Sequence, residues 1–98
     1  MVKAISWDLE ARKFFKKSII YIKQDSEVNA ETVRKGILQA IAELKHHPTK
    51  YSPDQYRKNN DGSYRAFEIC NFRIAYFISE EHIRIVRMRH VKMEPKSY

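Results

Sequence analysis

Between Tyr64 and His90 the chain reads as three strand-like runs split by two short polar breaks, and no other stretch limits the fold as strongly. The runs are Tyr64-Arg-Ala-Phe-Glu-Ile-Cys-Asn71, Phe72-Arg-Ile-Ala-Tyr-Phe-Ile-Ser79 and His82-Ile-Arg-Ile-Val-Arg-Met-Arg-His90. Runs of β-branched and aromatic residues with tight breaks at Cys70-Asn71 and Glu80-Glu81 predict an antiparallel meander. In the middle run Phe72, Ile74, Tyr76 and Ile78 alternate with Arg73, Ala75, Phe77 and Ser79. Successive side chains of a strand point to opposite faces, so the first set is assigned to the covered face and Arg73 to the other. In the last run, strict alternation groups Ile83 and Ile85 with Arg87 and Arg89, against Arg84, Val86, Met88 and His90. The pattern leaves open which of these two sets is buried.

The residues upstream read as the scaffold of this sheet. Val2 to Ser6 is expected to add a strand, and Asp8 is placed to cap a helix with Glu10 in its first turn. Ala11, Phe15, Ile19 and Ile22 recur at helical spacing, with Phe14 and Tyr21 widening the stripe. Arg12, Lys13, Lys16, Lys17 and Lys23 fall largely on the other side, as a solvated face. Gln24 to Val28 reads as a polar break. Asn29 is expected to cap a second helix running to Lys45, with Val33, Ile37, Ala40, Ile41 and Leu44 as its apolar stripe and Pro48 as its stop. Two helices so joined form an antiparallel hairpin that buries its stripes on each other and on the sheet. Thr49 to Ser63 is a polar connector with a turn signal at Asp61-Gly62, and Tyr51, Tyr56, Arg57 and Lys58 within it are set either to touch a partner or to close the core.

The fold class expected is therefore α+β: an N-terminal strand, an antiparallel two-helix hairpin and a three-stranded antiparallel meander, in one domain spanning residues 1–98. A hydrophobic fraction of 43 % and an aromatic fraction of 12 % suffice for a packed core and argue against disorder. The N-terminus has no apolar signal-peptide region, and no apolar run approaches the ~20 residues of a membrane span. With Cys70 as its one cysteine, the chain has no internal disulfide or cysteine metal cluster. A cytoplasmic location without membrane partner is expected. His46 and His47 are adjacent and cannot both face one metal from a regular helix, so no metal is expected. With Gly36 and Gly62 the only glycines, no nucleotide-cradling loop and no small-molecule cofactor are expected either.

The charge is unevenly distributed. Residues 82–98 hold five Lys/Arg and one Asp/Glu, a balance of +4 out of +7 for the whole chain. A basic patch this localised favours an acidic partner, whether nucleic-acid phosphates or an acidic protein segment. Two kinds of site fit. One is metal-independent RNA cleavage, in which a 2′-hydroxyl attacks its phosphate, side chains move the protons and cations stabilise the pentavalent centre. Arg65, Arg73, Arg87, Arg89 and Lys92 are candidates for the charge, and His90 or Tyr98 for proton transfer. Against these roles, His90 can equally be a hydrogen-bonded strand-end histidine and Tyr98 a frayed terminus. The other kind of site is a non-catalytic docking surface built from the same arginines.

Tyr64-Arg65, Asn71-Phe72-Arg73-Ile74-Ala75-Tyr76 and Ile85-Val86-Arg87-Met88-Arg89-His90, leading into Lys92 and Glu94-Pro95, carry a family resemblance. In this order and spacing the chain resembles the RelE/ParE superfamily of bacterial type II toxin–antitoxin toxins, and within it the ParE-like, plasmid-stabilisation branch. The resemblance implies a growth inhibitor neutralised by a cognate acidic antitoxin. RelE-like members cleave ribosome-bound mRNA and ParE-like members poison DNA gyrase. The RelE-type pattern maps onto Arg65, Arg73, Lys92 and Tyr98, whereas its second paired basic residue falls at the uncharged Phe67. Arg87, Arg89 and His90 belong to the ParE-like motif and are assigned to target or phosphate binding. The expectation leans to gyrase inhibition. The alternatives are an mRNA endoribonuclease and a binding module without toxicity.

Overall fold

The computed structural model describes residues 2–93 and 96–98, so the Glu94-Pro95 part of the resemblance lies outside the described residues. The elements are β1 (Ala4–Trp7), α1 (Leu9–Asp25), α2 (Glu27–Glu43), β2 (Tyr64–Ile69), β3 (Phe72–Ile78) and β4 (His82–His90). They form a mixed four-stranded sheet in the order β1-β4-β3-β2. β2, β3 and β4 are the expected antiparallel meander, and β1 lies parallel to β4. Parallel neighbours need a crossover connection, which the two helices supply on their way across one face of the sheet.

The helices differ from expectation at their joint. The expected Gln24–Val28 break is a single residue, because α1 continues to Asp25 and α2 opens at Glu27. Ser26, extended at φ −158° and ψ 115°, closes α1 by donating its N–H to the Ile22 carbonyl and opens α2 by accepting the Asn29 N–H on its hydroxyl at 3.0 Å. Ser26 is therefore the N-cap expected at Asn29, which lies inside the first turn. α2 ends at Glu43 rather than Lys45, its last carbonyls closed by tighter turns through His46. Asp8 occupies the N-cap position of α1 without a side-chain cap bond, and its carboxylate instead meets Arg84 at 3.2 Å. Tyr21, expected on the buried stripe, is 71 % exposed.

The core lies between the hairpin and the sheet. Ala11 of α1 and Ile37, Ile41 and Leu44 at the end of α2 pack with Phe67, Phe72, Ile74, Tyr76, Ile83, Ile85 and Met88. The Tyr76 hydroxyl, fully buried, donates to the Pro48 carbonyl at 2.7 Å and so satisfies its polar atom. Two local devices set which side chains face this core. Cys70 and Asn71 both adopt positive φ (53° and 68°), the geometry of a two-residue hairpin turn whose twist matches the strands. The second device is a bulge in β4. Ala75 pairs with Arg87 and Tyr76 with Ile85, so Val86 is an extra residue in the ladder. The bulge overturns the strict alternation expected for this strand. Ile83, Ile85 and Met88 point to the helices, and Arg84, Arg87 and Arg89 share the opposite face.

The phase change is testable by truncation. Met88→Ala removes a buried side chain and is expected to cost about 2–5 kcal/mol in chemical denaturation, whereas Val86→Ala should cost under about 1 kcal/mol. Equal losses at the two positions would contradict the bulge.

Candidate functional site

The sheet face turned away from the helices carries the site. Directly paired residues on neighbouring strands share a face, so three ranks cross it: Glu68–Arg73–Arg89, Ala66–Ala75–Arg87 and Tyr64–Phe77–Arg84. The middle rank is built on alanines, which leaves depth for other segments to lie over them. Residues 52–54 run along the edge of β2, with Ala66 N–H donating to the Ser52 carbonyl and Asp54 N–H to that of Tyr64. Residues 96–98 fold back onto the same face. Tyr98 exchanges main-chain hydrogen bonds with the connector, donating to Tyr56 O at 2.9 Å and accepting from Lys58 N–H at 2.6 Å. Tyr98 is thus fastened rather than frayed.

At the centre stands Asp54, 3 % exposed. One carboxylate oxygen accepts from the Arg73 guanidinium at 2.9 Å and from Tyr56 N–H at 3.0 Å; the other accepts the Tyr98 hydroxyl at 2.5 Å. Burial works to raise the Asp54 pKa, but the hydrogen bonds from Tyr98, Tyr56 and Arg73 outweigh it and hold the carboxyl below its ordinary value. Burial, reinforced by the Asp54 carboxylate, pushes the Tyr98 phenol up, so it stays protonated. Arg87 lies over the Tyr98 ring at 4.6 Å and donates to the Lys96 carbonyl at 2.5 Å. Burial, and next the charge of Arg89, push the Arg87 guanidinium below its ordinary value.

The residues singled out in the sequence fall into three places. Arg73, Arg87, Arg89 and Tyr98 come together on the outer face. Arg65, paired with Tyr76, is on the helix-facing side, and its guanidinium is tied to the carbonyls of Tyr51 (2.7 Å) and Gly62 (3.2 Å). Phe67 shares that side, stacked on Tyr51 at 4.5 Å. His90 pairs with Phe72, packs against its ring at 5.6 Å and accepts the Lys92 N–H on Nδ1 at 3.1 Å. It is a hydrogen-bonded strand-end histidine that lines both the outer cleft, with Arg87 and Arg89, and a groove shared with Lys92 and with Phe14 and Tyr21 of α1. Among the described residues no group of three His, Cys, Asp or Glu side chains is arranged to hold a metal, and no helix is long and apolar enough to cross a membrane.

Asp54 itself is the residue that sequence reasoning missed. It sits in an aperiodic polar connector, and its partners lie 19 and 44 residues away. The one local sign is its position two residues before Tyr56, where an aspartate can accept the backbone N–H of a turn.

A carboxylate whose folded pKa lies below its unfolded value stabilises the fold above the unfolded pKa and loses that contribution as pH falls through the folded one. Acid unfolding of the chain should therefore include a component that starts as pH drops below the ordinary 3.8. Asp54→Asn should lose this component, and Asp54→Ala should cost about 3 kcal/mol at neutral pH by leaving Arg73 and Tyr98 without their acceptor. Unchanged acid denaturation in Asp54→Asn would contradict the assignment.

Comparison with known proteins bears out the resemblance seen in the sequence. The family described as ParE toxin of type II toxin-antitoxin system, parDE, matches residues 5–95, which covers all the elements described above except Ala4 at the start of β1. Among curated proteins none matches the chain. The match and the fold agree: the chain belongs to the ParE toxin family of type II toxin–antitoxin systems, a plasmid-stabilisation family whose members are paired with a cognate antitoxin.

Proposed function

We propose that this toxin arrests growth by docking on DNA gyrase, without performing chemistry of its own. The observation that carries this reading is the hydrogen bonding of Arg73 and Tyr98 to one buried carboxylate. RNA cleavage by the expected quartet needs Arg65, Arg73, Lys92 and Tyr98 around one phosphate, with a group able to take the 2′-hydroxyl proton. Arg65 faces the helices, Lys92 lies beyond the end of β4, and the Tyr98 phenol is kept neutral and committed to Asp54. What remains on the outer face is a rigid array of guanidiniums, which suits recognition.

The antitoxin, on this reading, is an acidic segment that folds on binding to the other side of the molecule. Trp7, Phe15, Ile19 and Leu38 line an apolar groove on the helical hairpin, rimmed by Arg12, Lys16 and Arg34, and Ile20 beside it is 60 % exposed. An amphipathic helix with acidic flanks matches both the groove and its rim. Ile20→Glu is expected to keep the toxin active while a co-expressed antitoxin loses its protection; full protection would contradict this placement.

The function itself is tested by inducing the chain alone and mapping cellular mRNA ends by primer extension within minutes, alongside a supercoiling assay with purified gyrase. Arrested growth, unbroken mRNA and inhibited supercoiling are expected. Discrete new mRNA ends that disappear in Arg73→Ala would establish the ribonuclease instead. Unimpaired growth would leave a binding module without toxicity.

A further inference from the structure

The outer face holds more positive charge than its own carboxylates balance. Asp54 and Glu68 both pair with Arg73, at 2.9 and 3.5 Å, and Asp8 pairs with Arg84 at 3.2 Å. Among the described residues, no carboxylate lies within ion-pair distance of Arg87 or Arg89. Among the described residues the Nε of Arg89 is buried without a hydrogen-bond partner, beside a cleft of about 80 Å³ lined by Arg73, Arg87, Arg89 and Lys96 together with the Asp54 and Glu68 carboxylates, both already engaged by Arg73. An orphaned donor of this kind at a cationic cleft points to a missing acceptor.

The guanidiniums are also held in place. Arg73 lies over Tyr56 at 4.9 Å, Arg84 over Phe77 at 5.4 Å and Arg87 over Tyr98 at 4.6 Å. A ring beneath one face of a guanidinium fixes its plane and leaves its N–H edge to meet an anion, which reduces the ordering cost of binding. Arg84, Arg87 and Arg89 follow one strand, and the bulge at Val86 is what brings all three to one side. Their positions span about 16 Å at the ordinary rise of a strand, with roughly 7 Å between the last two.

We infer that this face binds the phosphodiester backbone of nucleic acid, with Arg84, Arg87 and Arg89 each engaging a phosphate. A rigid row of planar forks suits a regularly repeating anion with several oxygens per unit. Carboxylates on a flexible peptide would have to be ordered one by one. In its biological setting the inference rests on the gyrase reading: the toxin would engage the enzyme together with the DNA on which it works. The binding itself is a property of the isolated chain.

The test is fluorescence anisotropy of a labelled mixed-sequence single-stranded oligodeoxynucleotide with the purified chain, over a range of salt concentrations. Three phosphate contacts predict binding that is insensitive to sequence, with a slope of log K against log salt of about −2. Arg87→Gln or Arg89→Gln should weaken binding about tenfold and make the slope shallower by about 0.7. Arg84→Gln, at an exposed position, repeats the test without disturbing the packing around Tyr98. Lys16→Gln combined with Lys17→Gln, two charges removed from α1, should change affinity less than about twofold. Polyglutamate should compete poorly.

Absence of binding, equal losses in the lysine and arginine variants, or competition by polyglutamate as effective as by the oligonucleotide would each overturn the inference. A chain that inhibits gyrase yet fails this test leaves the gyrase reading intact. A chain that passes it but leaves supercoiling untouched overturns the gyrase reading alone.

Discussion

The Asp54 carboxylate is the interaction on which the outer half of this molecule depends. Three donors reach it from three separate segments: the Tyr56 backbone in the connector, the Arg73 guanidinium on β3 and the Tyr98 hydroxyl near the C-terminus. A carboxylate this deeply buried is costly to ionise unless its lone pairs are filled, and each of these bonds helps to fill them. Two segments without helix or strand of their own are thereby fastened to the sheet. Ala66 and Ala75 supply the complementary condition: both are buried in the middle rank of this face, and Ala75 lines the cleft beside Asp54 and Tyr56.

The same arrangement separates the molecule's two surfaces. The hairpin side is an apolar groove with a basic rim, and the outer side is a set of guanidiniums held by aromatic rings. On the proposed reading, this division lets the antitoxin segment and the target use separate patches. The geometry also accounts for why the RelE-type quartet does not assemble here. Cleavage chemistry needs a free base and a phosphate between its groups, whereas Tyr98 and Arg73 already share an acceptor.

What the sequence made legible was local. The meander showed in period-two alternation and in its two breaks, and the helices in stripes such as Ile37-Ile41-Leu44. The separation of Arg65 from Arg73, which the sequence reading grouped at one site, could have been read from the same pattern. A two-residue turn at Cys70-Asn71 pairs Arg65 with Tyr76 and Glu68 with Arg73, so the alternation of β3 assigns the two arginines to opposite faces. Other features were hidden for physical reasons. A one-residue joint at Ser26 leaves no run of loop-forming residues to notice. The bulge at Val86 changes the phase of β4 without any glycine or proline to mark it, and so conceals that Arg87 and Arg89 leave the core face. Asp54 carries no periodicity at all, because its role is set by partners far along the chain.

The most direct test of this account is an NMR titration of the Asp54 side-chain carboxyl carbon in the intact chain. The account predicts a midpoint clearly below the ordinary 3.8, moving upward in Tyr98→Phe as one of its three donors is removed. A midpoint at or above 3.8, unmoved by that substitution, would mean that the carboxylate is not held by these donors and that the outer face is organised in some other way.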